Sequence, residues 1–363
     1  MSLLKKLSSK CGFATLLAPR RGRRPASAGL GALRRPAAAL LLLCAAPWAK
    51  AQFDHTFYGV LDLSYGRFEP SGALRSQRFN SNSLTASFAG VSASYGFENG
   101  WTPGIVLEAF YRFQDMRAGR NDNDPLLSRN AFVSLAHRDW GTLRVGRLQT
   151  LMFSTAARFN AFGNSVAFSP AMRHVFAAGN IIGVQEDFYW DRAVSYSLPA
   201  IEGLSAAVMA ARGDGQTPGQ HLGATLIATQ GLLAMAASWQ RVHIDDDIAD
   251  PVQETAWQLA GSYNAGWAQA YVQWTHTSDQ GQQLRSNSLS AGLTVPAGPG
   301  SVLAQIAVAK ADGLAIDRKQ TTTSLGYVYP WDSLTDLYMV GMDDRVRGQT
   351  RGASVAVGVR LKF

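Results

Sequence analysis

The segment GASVAVGVRLKF, residues 352–363, alternates its side chains with a period of two. Successive side chains of an extended strand point to opposite faces. The face with small and basic residues includes Arg360 and Lys362. The opposite face carries the large apolar residues Val355, Val357, Val359, Leu361 and Phe363. The pattern therefore predicts a strand with one face against an apolar medium.

The same alternation, bounded by turn residues, recurs along the rest of the chain after residue 51. Each segment is about ten residues long, the length that a tilted strand needs to cross the hydrocarbon core of a bilayer. We predict sixteen strands at 57–69, 83–97, 101–116, 127–138, 141–150, 187–199, 203–213, 221–229, 232–244, 254–264, 267–278, 284–296, 301–311, 319–329, 333–344 and 352–363.

The connections between these segments alternate in length. Short turns such as ENG and DWG are followed by long polar loops such as RAGRNDNDP, and this alternation is typical of outer-membrane barrels. A sheet in lipid cannot leave an edge unpaired, and sixteen strands enclose an aqueous lumen. The sequence therefore predicts an all-β fold, a 16-stranded antiparallel transmembrane β-barrel.

The first 51 residues differ in character from the rest. They contain ten Lys and Arg residues and no acid, then the apolar run AAALLLLCAA at 37–46, then Ala49-Lys50-Ala51. A basic region, a short apolar region and a small-x-small site predict an export signal, cleaved after Ala51. Residues 52–363 would form the barrel.

Removal of this signal changes what composition implies. The whole chain has 34 basic and 26 acidic residues, so 24 basic and 26 acidic residues remain, a net charge of −2. This balance does not support nucleic-acid binding. Both cysteines, Cys11 and Cys44, also lie in the first 51 residues, which excludes disulfides and zinc–thiolate sites from the barrel.

Alternation assigns side chains to the two faces of the predicted barrel. Glu108 and Arg112 share the polar face of one strand, Arg144 lies on that of another, and Asp62 on that of the first. We expect these four to face the lumen. Aromatic residues near strand ends are expected to form girdles at the membrane interfaces: Tyr58, Tyr65, Tyr95, Trp101, Tyr327, Tyr329, Trp331 and Phe363.

One connection, at about 151–186, is too long and too apolar for a solvated loop tip. A loop of this length is uncommon in a compact fold and usually functional. It needs to bury Phe153, Phe159, Phe162, Phe168 and Phe176. We therefore expect this third loop to fold inward, pack against the inner wall and narrow the lumen.

Several segments together resemble the Gram-negative general diffusion porins: FYGVLDLSYG, SRNAFVSLAHRDWGTLRVGR, FNAFG, DRAVSYSLP, LGYVYPWDSLTDLYMVG and the terminal Phe363. The resemblance implies an outer-membrane protein of a Gram-negative bacterium, exported through the periplasm, whose third loop constricts a water-filled channel for small hydrophilic solutes and ions. It also implies a homotrimer, contact with outer-membrane lipid and lipopolysaccharide, and recognition of Phe363 by the barrel-assembly machinery.

The charges around the third loop depart from what the resemblance implies. No Asp or Glu occurs between Trp140 and Gln185, where acidic residues would be expected opposite a basic wall. A ring of cations favours anions, so we expect anion preference. The candidate lumen residues are Asp62, Glu108, Arg112, Arg129, Arg144, Arg147, Arg158, Arg173 and His174.

Other functions stay open. A substrate-specific outer-membrane channel is the main alternative, and a barrel enzyme or adhesin is further removed. The histidines are scattered, and neither G-x-S-x-G nor H-E-x-x-H occurs. We therefore predict no catalytic residues, cofactor or resident metal. The acidic runs DDDIAD (245–250) and MDD (342–344) could nevertheless bind a divalent cation.

Overall fold

The computed structural model describes residues 53–177, 180–185, 187–199, 201–212, 220–244, 252–281, 283–314 and 316–363. These residues form one antiparallel sheet that closes on itself. The predicted export signal (1–51) and the acidic run at 245–250 lie outside the described residues.

The strands follow one another around the barrel in chain order. The first half contains β1 (Phe53–Phe68), β2 (Ser76–Ser81), β3 (Phe88–Tyr95), β4 (Trp101–Arg112), β5 (Arg117–Ala118), β6 (Ala131–His137), β7 (Gly141–Gln149), β8 (Tyr189–Ser197) and β9 (Leu204–Arg212). The second half contains β10 (Gln220–Gln230), β11 (Leu233–Ile244), β12 (Val252–Asn264), β13 (Gln269–Asp279), β14 (Leu284–Ala297), β15 (Gly300–Asp312), β16 (Asp317–Pro330), β17 (Thr335–Val346) and β18 (Gly352–Lys362).

Within the described residues the wall has sixteen strand positions, as the sequence predicts. β2 and β3 occupy one of them, because β1 pairs with β3 through residues 53–60 and with β2 through residues 63–68. The two-residue β5 only extends the outer end of β4. The prediction of a loop at 76–81 was wrong: this polar segment forms β2, and its alternation is too weak to indicate a strand.

The barrel closes between β1 and β18, which pair in register from Val60 with Lys362 to Arg67 with Val355. Gly59 and Phe363 extend the pairing: the Gly59 N–H donates to the Phe363 carbonyl at 2.9 Å, and the Phe363 N–H to the Gly59 carbonyl at 3.2 Å. The Phe363 ring covers Gly59, where an added Cβ would lie 2.5 Å from its Cζ atom and also 2.5 Å from the Phe88 carbonyl oxygen of β3. A side chain at position 59 would therefore obstruct closure.

The two faces of the wall are opposite in polarity to those of a soluble protein. On β13, Val272 and Trp274 are exposed on the outside while Gln273 and Thr275 are buried on the inside. The same alternation recurs on β14, β16 and β17. An apolar outer face and a polar inner face are what a barrel in lipid requires.

Aromatic rings pair at the end of the barrel that carries the short turns. Phe57 packs on Phe363, and Tyr329 on Trp331, with centroids 5.4 and 6.2 Å apart. One predicted girdle residue is wrong: Tyr58 points into the lumen, where its hydroxyl donates to Glu108 at 2.7 Å. It shares the inward parity of Asp62 along β1.

Two short helices interrupt the connection between β7 and β8: α1 (Leu151–Arg158) and α2 (Pro170–Phe176). In the part of the chain that the structure describes, no helix is long and apolar enough to cross a membrane.

The contact between Gly59 and Phe363 gives a test of closure. We expect Gly59→Val to reduce the yield of folded barrel, because overpacking at a closed seam costs about 1–3 kcal/mol. The measurement is the fraction of refolded protein that keeps the faster, heat-modifiable mobility in gel electrophoresis. Gly96→Val is the matched control, since an added Cβ there meets no atom within 4 Å. Equal yields for the two variants would contradict the assignment.

Candidate functional site

The third loop (151–186) enters the barrel as helix α1. The Thr150 hydroxyl caps this helix by accepting the Phe153 N–H at 3.3 Å. Thr155, buried on the wall side, lies 3.1 Å from the Thr225 hydroxyl of β10 and accepts the Ser238 hydroxyl of β11 at 3.0 Å. Gln273 of β13 donates to the α1 carbonyl of Ala156 at 2.8 Å. Three strands therefore hold this helix by side-chain hydrogen bonds.

The loop then runs along the wall where glycines make room for it. An added Cβ at Gly292 would lie 3.3 Å from Ala161, and one at Gly326 would lie 3.2 Å from the Phe162 ring. Both glycines face inward, on β14 and β16, by alternation with their exposed neighbours. Wall and loop therefore fit together without space for larger side chains.

Helix α2 lies on β14, β15 and β16 and is anchored there by His174. Thr322 of β16 donates its hydroxyl to Asp344 at 2.7 Å, so its oxygen is left to accept the His174 Nε2–H at 2.8 Å. Nδ1 of the same ring then accepts from the Ser288 hydroxyl at 3.4 Å. His174 is 1% exposed. It holds the loop to the wall and does not line an open passage, although the sequence places it among the lumen cations.

The tip of the third loop is fastened to the opposite side of the barrel. The Ser165 hydroxyl donates to the backbone carbonyl of Ser83 at 2.6 Å, between the ends of β2 and β3. Asp62 fixes this segment by accepting the N–H groups of Ser83, Leu84 and Thr85 at 2.9–3.2 Å. Tyr338 donates its hydroxyl to the same carboxylate at 2.6 Å.

Asp62 therefore organises the irregular segment 82–87 and, through Ser83, the loop tip. It faces inward as the sequence predicts, but it is fully buried. Four donors surround its two oxygens, and hydrogen bonding of this kind stabilises a buried carboxylate.

A cavity of about 680 Å3 remains between the third loop and the wall at β4 and β6. The loop contributes Asn164, Val166 and Asn180 to its lining, and the wall contributes Phe110 and Arg129. This cavity is the space that the inward-folded loop leaves beside it.

Arg129 and Glu108 form an ion pair on the wall of this cavity. Asn130 also donates to Glu108, at 2.6 Å, and the Arg129 guanidinium lies 3.8 Å from the centre of the Phe88 ring. Both side chains face the interior, and each neutralises the charge of the other.

Arg147 and Arg112 also have carboxylate partners. Arg147 donates to Asp187 at 3.0 Å and to Asp191 at 2.8 Å. Arg112 lies 3.3 Å from Asp115 and 2.5 Å from Asp122. The sequence does not show these pairings, because the acids belong to the second long loop (113–130, between β4 and β6) and to residues 187–191 around the start of β8.

Arg120, which is not among the residues predicted from the sequence, joins the second loop to the end of the third. It donates to both oxygens of Asp187 at 2.7 and 2.8 Å and to both oxygens of Asp124 at 2.8 and 3.0 Å. Its guanidinium lies 5.1 Å from the Phe188 ring centre. The sequence feature that could have indicated its role is RNDND at 120–124, where one arginine is followed closely by two aspartates.

Two of the candidate cations have no carboxylate within 4 Å among the described residues. Arg144 donates to the Ser197 hydroxyl at 3.0 Å, near the short-turn end of the lumen. Arg158 ends α1 and is exposed. It lies four residues after the exposed Ser154 and so shares with it the helix face away from the wall.

Arg173 has a distant partner only. Its guanidinium lies 3.7 Å from Asp344, donates once, to the Ala167 carbonyl at 3.2 Å, and leaves Nε without a partner.

The acids of the run at 342–344 already have partners: Asp343 pairs with Arg345 at 2.7 Å, and Asp344 accepts from Thr322. Among the described residues no group of three or more acidic, histidine or cysteine side chains could hold a metal ion.

Asp62 allows a first test. We expect Asp62→Asn to lower the thermal unfolding temperature, because an amide offers one acceptor oxygen where three N–H groups and a phenol now donate. Each buried donor left unpaired costs about 1–3 kcal/mol. Asp139→Asn is the control, since Asp139 is exposed in a short turn. An unchanged unfolding temperature would show that Asp62 does not hold the segment 82–87.

His174 allows a second test, of pH dependence. Burial lowers the pKa of His174 to about 4, Asp344 opposes this shift, and Arg173 and Arg318 reinforce it. Histidine in the unfolded chain titrates near 6.5. The unfolded state therefore takes up the proton first, and this part of the stability is complete above pH 6.5 and lost as the pH falls towards 4.

We expect His174→Gln to remove this component, which amounts to roughly 3 kcal/mol. The measurement is the fall in unfolding temperature between pH 7.5 and 4.5, which should be larger for the wild type than for the variant. His137→Gln, at the half-exposed end of β6, should behave as the wild type. Equal falls for the wild type and His174→Gln would contradict the buried, neutral state.

Comparison with known structures places this geometry among outer-membrane barrels. The anion-selective porin from Comamonas acidovorans superposes with a TM-score of 0.73 at 20% identity, over 86% of this chain and 100% of that one. OmpT of Vibrio cholerae in its trimer form gives 0.64 at 17% identity, over 86% and 100%. Salmonella typhi OmpF in complex with daunomycin gives 0.64 at 12%, over 85% and 97%. These likenesses show a shared fold.

No curated protein sequence matches the chain significantly. A family model described as Gram-negative porin matches residues 37–349, most of the chain. The closed barrel, its inward-folded third loop and this match agree with the resemblance seen in the sequence. The chain belongs to the Gram-negative porin family of outer-membrane channels.

Proposed function

We propose that this porin lets small hydrophilic solutes and ions diffuse passively across the outer membrane, with a preference for anions. The observation that carries the preference is the charge of the third loop. Its residues 151–186 include Arg158 and Arg173, and its one carboxylate, Glu186, stands at the end next to β8. Fixed cations in a narrow aqueous path raise the local concentration of anions.

Arg158 and Arg144 are the two arginines that contribute most to the proposed anion preference. Each has no carboxylate within 4 Å in the described ranges, and they stand at two depths of the lumen. Near the periplasmic mouth, Asp336 is shared between Arg360 at 2.7 Å and Lys362 at 2.9 Å, which leaves one more positive charge. A permeating anion would meet these charges in sequence.

The other predicted lumen arginines have a different role in this proposal. Arg112, Arg129 and Arg147 are each paired with carboxylates, so at a distance they contribute dipoles instead of net charge. We infer that they fix the second loop, the wall and the end of the third loop in position. These arginines therefore affect the shape of the passage more than its net charge.

Passive diffusion accounts for the third loop better than a substrate-specific channel. Phe153 stacks on Phe188 with centroids 4.3 Å apart and packs on Phe176 at 5.0 Å. Phe153 and Phe176 are both buried, so their faces serve packing and offer a sugar no platform. We also infer no catalytic role for the contact between Ser288 and His174, because it is buried and Asp344 binds Thr322.

The proposed partners follow from the outer surface and from the family. We propose a homotrimer in outer-membrane lipid, with Phe363 recognised by the barrel-assembly machinery. Arg285, Lys310 and Lys319 are exposed on the outer face towards the long loops, where lipopolysaccharide phosphates would lie.

Anion preference is tested by reversal potentials of single channels in a KCl gradient. We expect the wild type to favour chloride, and the variant with both Arg144→Gln and Arg158→Gln to lose part of that preference. A charge about 8 Å from an ion in water contributes about 0.5 kcal/mol, a change of about twofold for each residue.

Arg138→Gln is the matched control, since Arg138 is exposed in a short turn beside Asp139. Preference for potassium in the wild type would refute anion selectivity. A double variant with the wild-type ratio would refute the assignment to Arg144 and Arg158. Absence of conductance from folded protein would remove the channel itself.

A further inference from the structure

A second pocket lies in the external vestibule, on the side of the third loop away from the 680 Å3 cavity. Its volume is about 320 Å3, near the lower end of the range of small-molecule sites. It is bounded by the end of β1, by the first long loop (69–75), by β2, by residues 167–173 of the third loop and by the inner faces of β17 and β18.

The walls of this pocket are apolar and its charges are all positive. Phe68, Phe168 and Met342 supply apolar surface. Arg78 and Arg173 are the charged residues among its described lining, which contains no acid. The pocket therefore offers apolar contact together with guanidinium groups.

The hydrogen-bond donors of the Arg173 guanidinium are mostly without acceptors among the described residues. A guanidinium carries five N–H donors, and here it makes one hydrogen bond, to the Ala167 carbonyl at 3.2 Å. Oδ2 of Asp344 lies 3.7 Å away and already accepts the Ser71 N–H at 3.2 Å. Oδ1 of the same carboxylate accepts from Thr322 at 2.7 Å and from Gln320 at 3.1 Å. Burial lowers the pKa of Arg173 against the opposing effect of Asp344. The surroundings do not fully compensate this charge.

Arg78 stands in the same pocket without a carboxylate within 4 Å in the described part of the chain. It donates to the Ser76 hydroxyl at 2.8 Å, and its guanidinium lies 5.0 Å from the centre of the Phe68 ring. Arg75, three residues earlier, differs, because it pairs with Glu69 at 3.1 Å. The charge of Arg78 is thus available to a ligand.

We propose that this pocket binds a small organic monoanion with an apolar body, of the aromatic carboxylate class. The carboxylate lies between Arg78 and Arg173 and accepts their unused N–H groups, while the ring packs on Phe68, Phe168 and Met342. Charge-assisted hydrogen bonds to a carboxylate are strong when the site is partly desolvated. The porin then holds such solutes at a saturable vestibule site before they reach the third loop.

Isothermal titration calorimetry with benzoate on the folded, detergent-solubilised protein tests this site without any need for conductance. We expect saturable binding of one benzoate per chain, and binding of the neutral isostere benzamide that is weaker by about tenfold or more. Arg78→Gln should weaken benzoate by about tenfold, whereas Arg75→Gln should bind as the wild type does. Arg173→Gln provides a second variant, with its fold checked by heat-modifiable mobility.

No saturable benzoate binding to the wild type would overturn the proposal. Equal binding of benzamide would show that the arginines do not select the ligand, and equal weakening by Arg75→Gln and Arg78→Gln would place the effect outside the pocket. A protein that conducts ions but fails to bind benzoate would refute this site alone. A protein that binds benzoate but does not conduct would refute the channel alone.

Discussion

The hydrogen bonds between the first and last strands are the constraint on which the rest of the structure depends. In lipid no backbone donor or acceptor can turn to water, so the sheet has to end where it began. The register of β1 with β18 meets this requirement, and Gly59 leaves space for the terminal aromatic ring that completes it. Once the sheet is closed, apolar side chains face out and the polar half of every strand faces a common interior.

That interior is then shaped by one segment. The third loop contacts β10, β11 and β13 through α1, β14 and β16 through α2, and the segment between β2 and β3 through Ser165. These attachments are mostly neutral hydrogen bonds and apolar packing. The ion pairs concentrate instead where the second loop meets the end of the third, around Arg120 and Asp187. The loop is therefore held by short-range contacts that salt screens little.

The sequence predicts the architecture well because a membrane barrel repeats one simple pattern. Alternation and loop length give the strand number, the inward faces of Glu108 and Arg144, and the inward fold of the third loop. The local pattern is insufficient where a feature depends on distant partners. No pattern in residues 76–87 indicates that three N–H groups donate to Asp62. No pattern near Arg147 indicates that its partners are Asp187 and Asp191, about forty residues later. A count of arginines along the sequence overstates the unpaired positive charge of the lumen, because the fold brings distant carboxylates next to several of these arginines.

The attachment points of the third loop also fix the order in which the molecule can be completed. Ser165 reaches a segment near the start of the chain, and His174 reaches Ser288 and Thr322, which are made more than a hundred residues later. Helix α2 thus lacks its attachment in a sheet without β14 to β18, whereas α1 and Ser165 contact segments that come earlier in the chain than β14. The narrowing of the lumen by the third loop therefore depends on the complete barrel, because an incomplete sheet lacks the strands to which α2 is attached.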